Sequence, residues 1–160
     1  MKDKLEKIGK YLISGNLKIA TAESCTGGLL SSAFTDISGS SAFVHLNFVT
    51  YANEAKENIL HVKNETLSLK GAVSEECAYE MAAGLQKITG ADICISTTGI
   101  AGPTGGSLEK PVGLMYSAIV SRDTFKIYKI QKPETTPRVE MKKLFVENVI
   151  ENLYNFLGLN

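Results

Sequence analysis

Ser24 and Lys56 are the two side chains whose types and local sequence point most directly to chemistry. Ser24 lies in the segment 23–28, where a predicted strand turns abruptly into a predicted helix. A serine at such a turn is a candidate nucleophile if a base can reach it, and N–H groups of the turn could stabilise an oxyanion. A structural role is the alternative, because Ser24 and Thr26 are also ordinary N-cap residue types.

Lys56 is the candidate base for this serine. Asn53 has the character of an N-cap, so Lys56 falls at the third helical position, where a capping box would place Glu or Gln. The positive end of the helix dipole there disfavours the protonated amine and lowers its pKa, as a general base requires. The alternative is a lysine that extends into solvent. Tyr51 lies just before this helix, and its hydroxyl either relays a proton or belongs to a ring that only packs.

Histidine, cysteine and metal chemistry are not indicated. The two histidines, His45 and His61, have no cysteine or carboxylate at ligand spacing, so neither a zinc site nor a histidine triad is expected. The three cysteines, Cys25, Cys77 and Cys94, are odd in number and far apart, which is typical of a reducing compartment. Cys25 is a weaker nucleophile candidate than Ser24, because a buried, inert thiol is the default at the start of an apolar helix.

Three segments rich in Gly, Ser and Thr could surround a ligand, namely 23–28, 38–41 and 97–106. Ligands of α/β sheets bind beyond the carboxyl ends of strands, where glycines let backbone amides approach an anion. These segments therefore favour a ligand with a phosphate or carboxylate group, although the glycines could also serve only as turns. None of the segments matches the P-loop, GxGxxG or GxSxG patterns.

The elements that must position these residues follow from the hydrophobic pattern. Apolar residues at helical spacing predict helices over 5–14 and 29–37, from 53, over 74–89 with Ser74 as the N-cap, and from about 136. Segments 17–22, 42–51, 93–97, 112–120 and 124–130 are predicted to be strands. The last two strands form an antiparallel hairpin, and 98–106 is predicted to be loop. This order predicts a mixed sheet with helices on both faces.

Composition limits the class of protein further. The chain has 160 residues, of which 44% are hydrophobic, and no linker divides it, so one domain over 1–160 is expected. Its 17 basic and 17 acidic side chains cancel, so neither nucleic acid nor a membrane is expected as a partner. No apolar run is long enough for a signal peptide, and we expect a cytoplasmic protein. The apolar face of the last helix and the paired late strands favour a homodimer or other homo-oligomer.

Four blocks carry a family resemblance: residues 21–28 (TAESCTGG), 48–56 (FVTYANEAK), 71–74 (GAVS) and 98–103 (TGIAGP) continuing to 110–113 (KPVG). With these blocks the sequence resembles the C-terminal amidase domain of the CinA family. The resemblance implies a three-layer α/β/α sandwich with a mixed, mostly parallel sheet and a late antiparallel hairpin. It also implies hydrolysis of the carboxamide of nicotinamide mononucleotide to nicotinate mononucleotide and ammonia, without cofactor or metal. The large N-terminal domain of full-length members is not expected here.

The resemblance also assigns roles to residues. It implies Ser24 as nucleophile, Lys56 as base and Tyr51 as the residue that assists. The residues expected to contact the pyridine nucleotide are Thr26, Gly27, Gly28, Ser40, Ser41, Thr98, Gly99, Ala101, Gly102, Arg138 and Lys142.

One departure from the family pattern concerns the start of the last helix. The family usually has a glycine-aspartate-arginine stretch and a further arginine there, whereas this chain has the segment 134–138 (ETTPR) and then Lys142. Lysine binds phosphate as a point charge and not through a bidentate fork. The alternative to an enzyme is therefore a nucleotide-binding sensor or partner module that has lost catalysis.

Overall fold

The computed structural model describes residues 1–159 as a five-stranded mixed sheet covered by helices on both faces. The helices are α1 (Lys2–Ser14), α2 (Leu29–Thr35), α3 (Asn53–Leu60), α4 (Asn64–Leu69), α5 (Glu75–Thr89) and α6 (Arg138–Phe156). The strands are β1 (Ile19–Glu23), β2 (Val44–Val49), β3 (Ile93–Gly99), β4 (Leu114–Ser121) and β5 (Phe125–Gln131). A 3₁₀ turn at Ser40–Ala42 precedes β2.

The strand order across the sheet is β2-β1-β3-β4-β5. Strand β1 pairs in parallel with β2 and with β3, and β4 pairs antiparallel with β3 and with β5. Four strands therefore share one direction and only β4 runs against them, which confirms the predicted fold class and the late hairpin. Because Glu23 pairs with both Val49 and Thr97, the carboxyl ends of β1, β2 and β3 meet at one edge.

The helices form two layers around the sheet. Helices α1, α2 and α6 cover one face, where buried side chains such as Ile95, Met115 and Phe145 make the larger part of the core. Helix α5, flanked by α3 and α4, covers the other face through Met81 and Leu85. Complete burial of one such side chain stabilises the fold by roughly 1.5–3 kcal/mol. Because both layers contain several buried side chains, they hold in place the sheet whose carboxyl end carries the site.

Two local details differ from the predicted elements. Strand β3 continues through Thr98 and Gly99, which pair with β4, although a loop was predicted there. A Cβ on Gly99 would lie 2.7 Å from the Leu114 carbonyl oxygen, so this close strand pairing requires glycine.

Helix α4 was not predicted, because its six residues bury only Thr66, whose hydroxyl donates to Glu80 at 2.8 Å. The N-cap role of Ser74 is confirmed, since its Oγ accepts the Cys77 N–H at 3.2 Å.

The apolar face of α6 is used inside the chain. Met141, Phe145, Val149 and Leu153 are buried in the core between α6 and the sheet. Strand β4 is likewise paired on both sides. The apolar face of α6 is thus used within the chain, whereas β5 keeps one unpaired edge in the described residues, and the homodimer stays a prediction. Over residues 1–159, no helix combines the length and the apolar character needed to cross a membrane.

Candidate active site

Ser24 is held at the carboxyl edge of the sheet directly after β1. Its N–H donates to the Thr97 carbonyl at 2.9 Å, which extends the β1–β3 pairing by one residue, and its side chain is 8% exposed. The chain then turns through Gly27 and Gly28 at φ of +61° and +96°, a left-handed conformation that favours glycine. The sequence therefore produces a sharp strand-to-helix turn with a serine at its start.

Lys56 reaches this serine from the opposite side of the site. Its Nζ lies 3.1 Å from Ser24 Oγ, 2.9 Å from the Thr50 carbonyl oxygen and 3.0 Å from the Tyr51 carbonyl oxygen. The predicted position in the helix is wrong by one residue, because Ala52 is the N-cap and Lys56 is the fourth residue of α3. Its N–H already donates to the Ala52 carbonyl at 3.2 Å, as in the body of a helix.

The pKa of Lys56 is lowered from the ordinary value of 10.5, and the main cause is burial. The side chain is only 1% exposed, so the charged amine has lost nearly all of its hydration. The prediction was thus right in the direction of the pKa and wrong in its cause, which it attributed to the helix dipole. The solvent-extended alternative is excluded as well.

The three partners of the amine define what it can do chemically. The two carbonyl oxygens can only accept hydrogen bonds, so a neutral amine donates both of its N–H groups to them. Its lone pair is then left for the third partner, the hydroxyl of Ser24. This arrangement is suited to removing a proton from Ser24 Oγ.

Tyr51 contacts Lys56 through its main-chain carbonyl, whereas its hydroxyl contacts Arg138. Its side chain is 60% exposed, and its hydroxyl accepts a hydrogen bond from Arg138 Nη2 at 3.1 Å. Within residues 1–159 this hydroxyl makes no hydrogen bond to Lys56 or Ser24. Arg138 Nη1 also donates to the Gly102 carbonyl at 2.7 Å, so the first turn of α6 is connected to two loops at the site.

An open cavity of about 240 Å³ lies against the serine and the lysine. It brings together seven of the predicted site residues, namely Ser24, Tyr51, Lys56, Thr98, Gly99, Ala101 and Arg138. Among the other lining residues, Cys25 apart, Ile100, Thr104 and Gly105 belong to the segment 97–106 that was expected to surround a ligand. No ligand contact was predicted for the remaining three, Asn53, Ala72 and Val73. A larger groove of about 580 Å³ beside α1 and the end of α2 contains none of the predicted site residues.

Three donors of the turn 26–28 are used by hydrogen bonds within the chain. The Thr26 hydroxyl donates to Glu23 Oε2 at 2.6 Å, the Gly28 N–H donates to the same oxygen at 3.0 Å, and the Gly27 N–H donates to the Ser24 carbonyl at 3.1 Å. These three groups already have partners within the chain, and contact of Thr26, Gly27 and Gly28 with a substrate stays a prediction. Glu23 occupies the turn, and the only sequence signal for this role was an acidic residue at the end of the strand IATAE.

Ser40 and Ser41 lie at the amino end of strand β1, and Ser24 lies at its carboxyl end. They precede Val44, which pairs with Ile19 at the amino end of β1, whereas Ser24 follows its carboxyl end. About five residues of strand, or roughly 15 Å, separate the two ends. The expectation that these serines approach the site is wrong for a single copy of the chain. Lys142, by contrast, comes near the turn, with Nζ 3.3 Å from where a Cβ on Gly27 would be.

The cysteines are all buried within the described part of the chain. Burial raises the pKa of the Cys25 thiol to about 12, and it raises the pKa values of Cys77 and Cys94 to about 11. A thiol in this condition is a poor nucleophile at neutral pH. Cys25 therefore does not compete with Ser24, in agreement with the sequence interpretation.

Comparisons with known proteins match one family over most of the chain. A family model described as CinA C-terminal domain matches residues 2–157. A CinA-like protein of Chloroherpeton thalassium is 61% identical over 110 residues, which cover 69% of this chain and 26% of that protein. The chain spans about a quarter to a third of the length of the curated relatives it matches.

Solved structures match over almost the whole chain. The competence/damage inducible protein CihA from Agrobacterium tumefaciens is 40% identical, with a TM-score of 0.88 and coverage of 97% of this chain and 96% of that chain. The competence damage-inducible protein A (ComA) from Klebsiella pneumoniae is 33% identical, with a TM-score of 0.92 and coverage of 98% and 96%. At these levels of identity and coverage, the similarity extends beyond the fold to the sequence of the family.

Proposed function

The chain belongs to the CinA C-terminal domain family, and on that premise we propose that it is a nicotinamide-nucleotide amidase. The reaction is hydrolysis of the carboxamide of nicotinamide mononucleotide to nicotinate mononucleotide and ammonia. The observation that carries the proposal is the 3.1 Å contact between Lys56 Nζ and Ser24 Oγ, made by a buried lysine at the wall of an open cavity.

The proposed mechanism proceeds by acyl transfer to Ser24. Neutral Lys56 removes the hydroxyl proton as Ser24 Oγ bonds to the carboxamide carbon, and the carbonyl oxygen becomes an oxyanion. The C–N bond then breaks, the proton held by Lys56 passes to the leaving nitrogen, and ammonia departs. Water, deprotonated by the same amine, then attacks the ester carbon. The C–Oγ bond breaks, the proton passes from Lys56 to Ser24 Oγ, and nicotinate mononucleotide leaves.

The oxyanion needs donors that are not already used within the chain. The Gly27 and Gly28 amides are occupied, and the Ile100 amide donates to the Leu114 carbonyl at 2.8 Å. Within residues 1–159 the Cys25 amide makes no hydrogen bond to another residue, and it directly follows the nucleophile. We assign the oxyanion to this amide, because the N–H after a nucleophilic serine commonly serves this purpose.

The phosphate of the nucleotide is assigned to the start of α6. Arg138 is exposed at the cavity, and its contacts with Gly102 and Tyr51 hold the guanidinium in place while leaving further N–H groups for a ligand. Lys142 lies one turn further along the same helix, near Gly27. A guanidinium and an ammonium side by side favour a dianionic phosphate. Tyr51 assists by holding Lys56 through its carbonyl and Arg138 through its hydroxyl.

The test is ammonia release from nicotinamide mononucleotide by the purified chain, with nicotinate mononucleotide identified as the other product. Ser24→Ala and Lys56→Ala are each expected to lower kcat by about 10²-fold or more, because each removes a group that acts on the proton or the bond being formed. Calorimetry should show that Ser24→Ala still binds the nucleotide. Lys63→Ala, which removes an exposed lysine just beyond α3, should keep full activity.

Other outcomes decide between the alternatives. Binding of the nucleotide by the unaltered chain without ammonia release would support the sensor module, for which the changed segment 134–138 is the reason. Full activity in Ser24→Ala or in Lys56→Ala would exclude the serine–lysine mechanism even if the reaction is right.

A further inference from the structure

Glu23 is a buried carboxylate without a cationic partner. Its side chain is 0% exposed, and no ion pair involving it occurs within residues 1–159. A carboxylate removed from water in this way is costly unless hydrogen bonds replace its hydration. Hydrogen-bond donors of the protein must therefore replace the lost hydration of this side chain, and we ask what its burial at this position achieves.

The donors all come from the segment that follows Ser24. Oε2 accepts from Thr26 Oγ1 at 2.6 Å, from the Gly28 N–H at 3.0 Å and from the Leu30 N–H at 3.1 Å. Oε1 accepts from the Ser31 N–H at 2.7 Å and from Ser31 Oγ at 2.5 Å. The side chain of Glu23, directly before Ser24, is thus hydrogen-bonded to residues 26–31 after it. These bonds hold together the two ends of the turn that contains Ser24.

The main chain of Glu23 connects to the lysine side of the site as well. Its carbonyl accepts the Thr50 N–H at 2.8 Å, and the Thr50 carbonyl accepts from Lys56 Nζ at 2.9 Å. Glu23 therefore contacts both segments whose relative placement sets the distance from Ser24 Oγ to Lys56 Nζ. Nothing in the proposed mechanism uses its side chain for proton transfer.

We propose that Glu23 is a positioning residue that holds the turn 24–28 in the conformation that presents Ser24 Oγ to Lys56. The proposal rests on the proposed function in one respect, that Ser24 is the nucleophile. Glutamine at this position has the same shape, but its NH₂ group would face N–H donors that need an acceptor. A displacement of Ser24 by about 1 Å is enough to lower the rate about 10²-fold.

The experiment compares Glu23→Gln and Glu23→Ala with Asp92→Asn. Asp92 also has a carboxylate that accepts a backbone hydrogen bond, from the Lys18 N–H at 2.8 Å, but it lies at the opposite edge of the sheet. Two assays are used. The first gives kcat and KM with nicotinamide mononucleotide, and the second gives the rate at which a fluorophosphonate labels Ser24 covalently. Labelling forms an Oγ–P bond and releases fluoride, and it does not depend on the identity of the natural substrate.

Glu23→Gln is expected to lower kcat and the labelling rate together by about 10²-fold, with KM within about threefold of the unaltered chain. Asp92→Asn should keep both rates even if it unfolds at a lower temperature. Formate should restore part of both rates in Glu23→Ala, since it supplies two carboxylate oxygens to the vacated donors. If Glu23→Gln does not fold, Thr26→Val and Ser31→Ala, which remove one donor each, should lower kcat with KM unchanged.

Each result counts for or against the proposal. Unaltered kcat and labelling in Glu23→Gln would overturn it while leaving the amidase reaction intact. Losses in the Glu23, Thr26 and Ser31 variants that only follow the unfolded fraction, without rescue by formate, would reduce Glu23 to a stabilising residue. If the unaltered chain is labelled at Ser24 but releases no ammonia, the substrate assignment fails and the labelling rates still decide the role of Glu23. An unaltered chain that is not labelled at all contradicts both.

Discussion

At the residue scale, the chemistry of the site depends on removing an amine from water. Lys56 is fully enclosed, its two N–H groups are matched by the Thr50 and Tyr51 carbonyl oxygens, and its remaining site faces Ser24. Burial penalises the ammonium form, so the amine gives up its proton at a lower pH than an exposed lysine does. A serine that is unreactive in water thereby gains a base within hydrogen-bond distance.

The pH dependence of the reaction tests this description. Because Lys56 acts in its neutral form, kcat/KM should rise with pH, and the midpoint should lie below 10.5, the ordinary pKa of lysine. Lys56→Arg should lower the rate by about 10²-fold or more and remove this rise, since a guanidinium stays protonated throughout the range. Initial rates of ammonia release between pH 6 and pH 10 supply the profile. A profile of the unaltered chain that is flat over this range would contradict the role of the amine.

At the element scale, the packing of α3 on α5 positions Lys56, the proposed base. A Cβ added to Gly84 of α5 would lie 1.8 Å from the Leu60 carbonyl oxygen, at the end of α3. Only glycine, which has no Cβ, can lie this close to the backbone of another helix. The two helices are therefore held nearer to each other than ordinary side chains allow, and Lys56 is carried by the helix that would have to move.

Gly84→Ala should consequently affect both stability and activity. The added methyl group forces α3 away from α5, and overpacking of this kind destabilises a domain by about 1–3 kcal/mol, with more expected where backbone is struck. Urea unfolding should show the lower free energy of unfolding, and kcat should fall because Lys56 is displaced from Ser24. Lys87→Ala, an exposed change in the same helix, serves as the control. Unchanged stability in Gly84→Ala would contradict the tight contact.

At the scale of the whole molecule, the sheet presents two different edges. The outer strand β2 carries no lysine, arginine or carboxylate and exposes Leu46 and Val49, whereas the other edge, β5, carries Lys126 and Lys129. Charged side chains discourage the pairing of edge strands, and an uncharged edge permits it. The apolar face of α6 is buried inside the chain. We therefore expect the predicted homodimer to form through the edge strand β2.

The oligomeric state is a direct measurement. We expect a homodimer in solution, with a mass twice the 17.3 kDa of the chain. Light scattering coupled to size-exclusion chromatography gives the mass, and Leu46→Lys should shift it toward the monomer by placing a charge on the edge strand. A mass of one chain at every concentration would contradict the prediction. The cytoplasmic location and the small-molecule pyridine nucleotide partner likewise stay predictions.

The sequence by itself determined most of the elements and singled out the two side chains on which the proposed chemistry rests. Hydrophobic periodicity is local, so α1, α5, the hairpin of β4 and β5 and the mixed sheet could be predicted without knowing any distant contact. The pairing of Ser24 with Lys56 also followed from residue types and family blocks, because few other bases were available to a serine. Short α4, with one buried residue, had too weak a pattern to be seen.

Only the tertiary structure decided which groups line the cavity and why the pKa of Lys56 is lowered. Whether an amide is free depends on contacts across the fold, and Glu23 occupies the Gly28 amide of the turn and the Leu30 and Ser31 amides of α2, which sequence spacing could not reveal. Strand direction placed Ser40 and Ser41 at the far edge. The pKa of Lys56 is set by enclosure from several elements, whereas its position in one helix suggested a local dipole. Local patterns fix local structure, but burial and edge placement arise only when distant segments pack together.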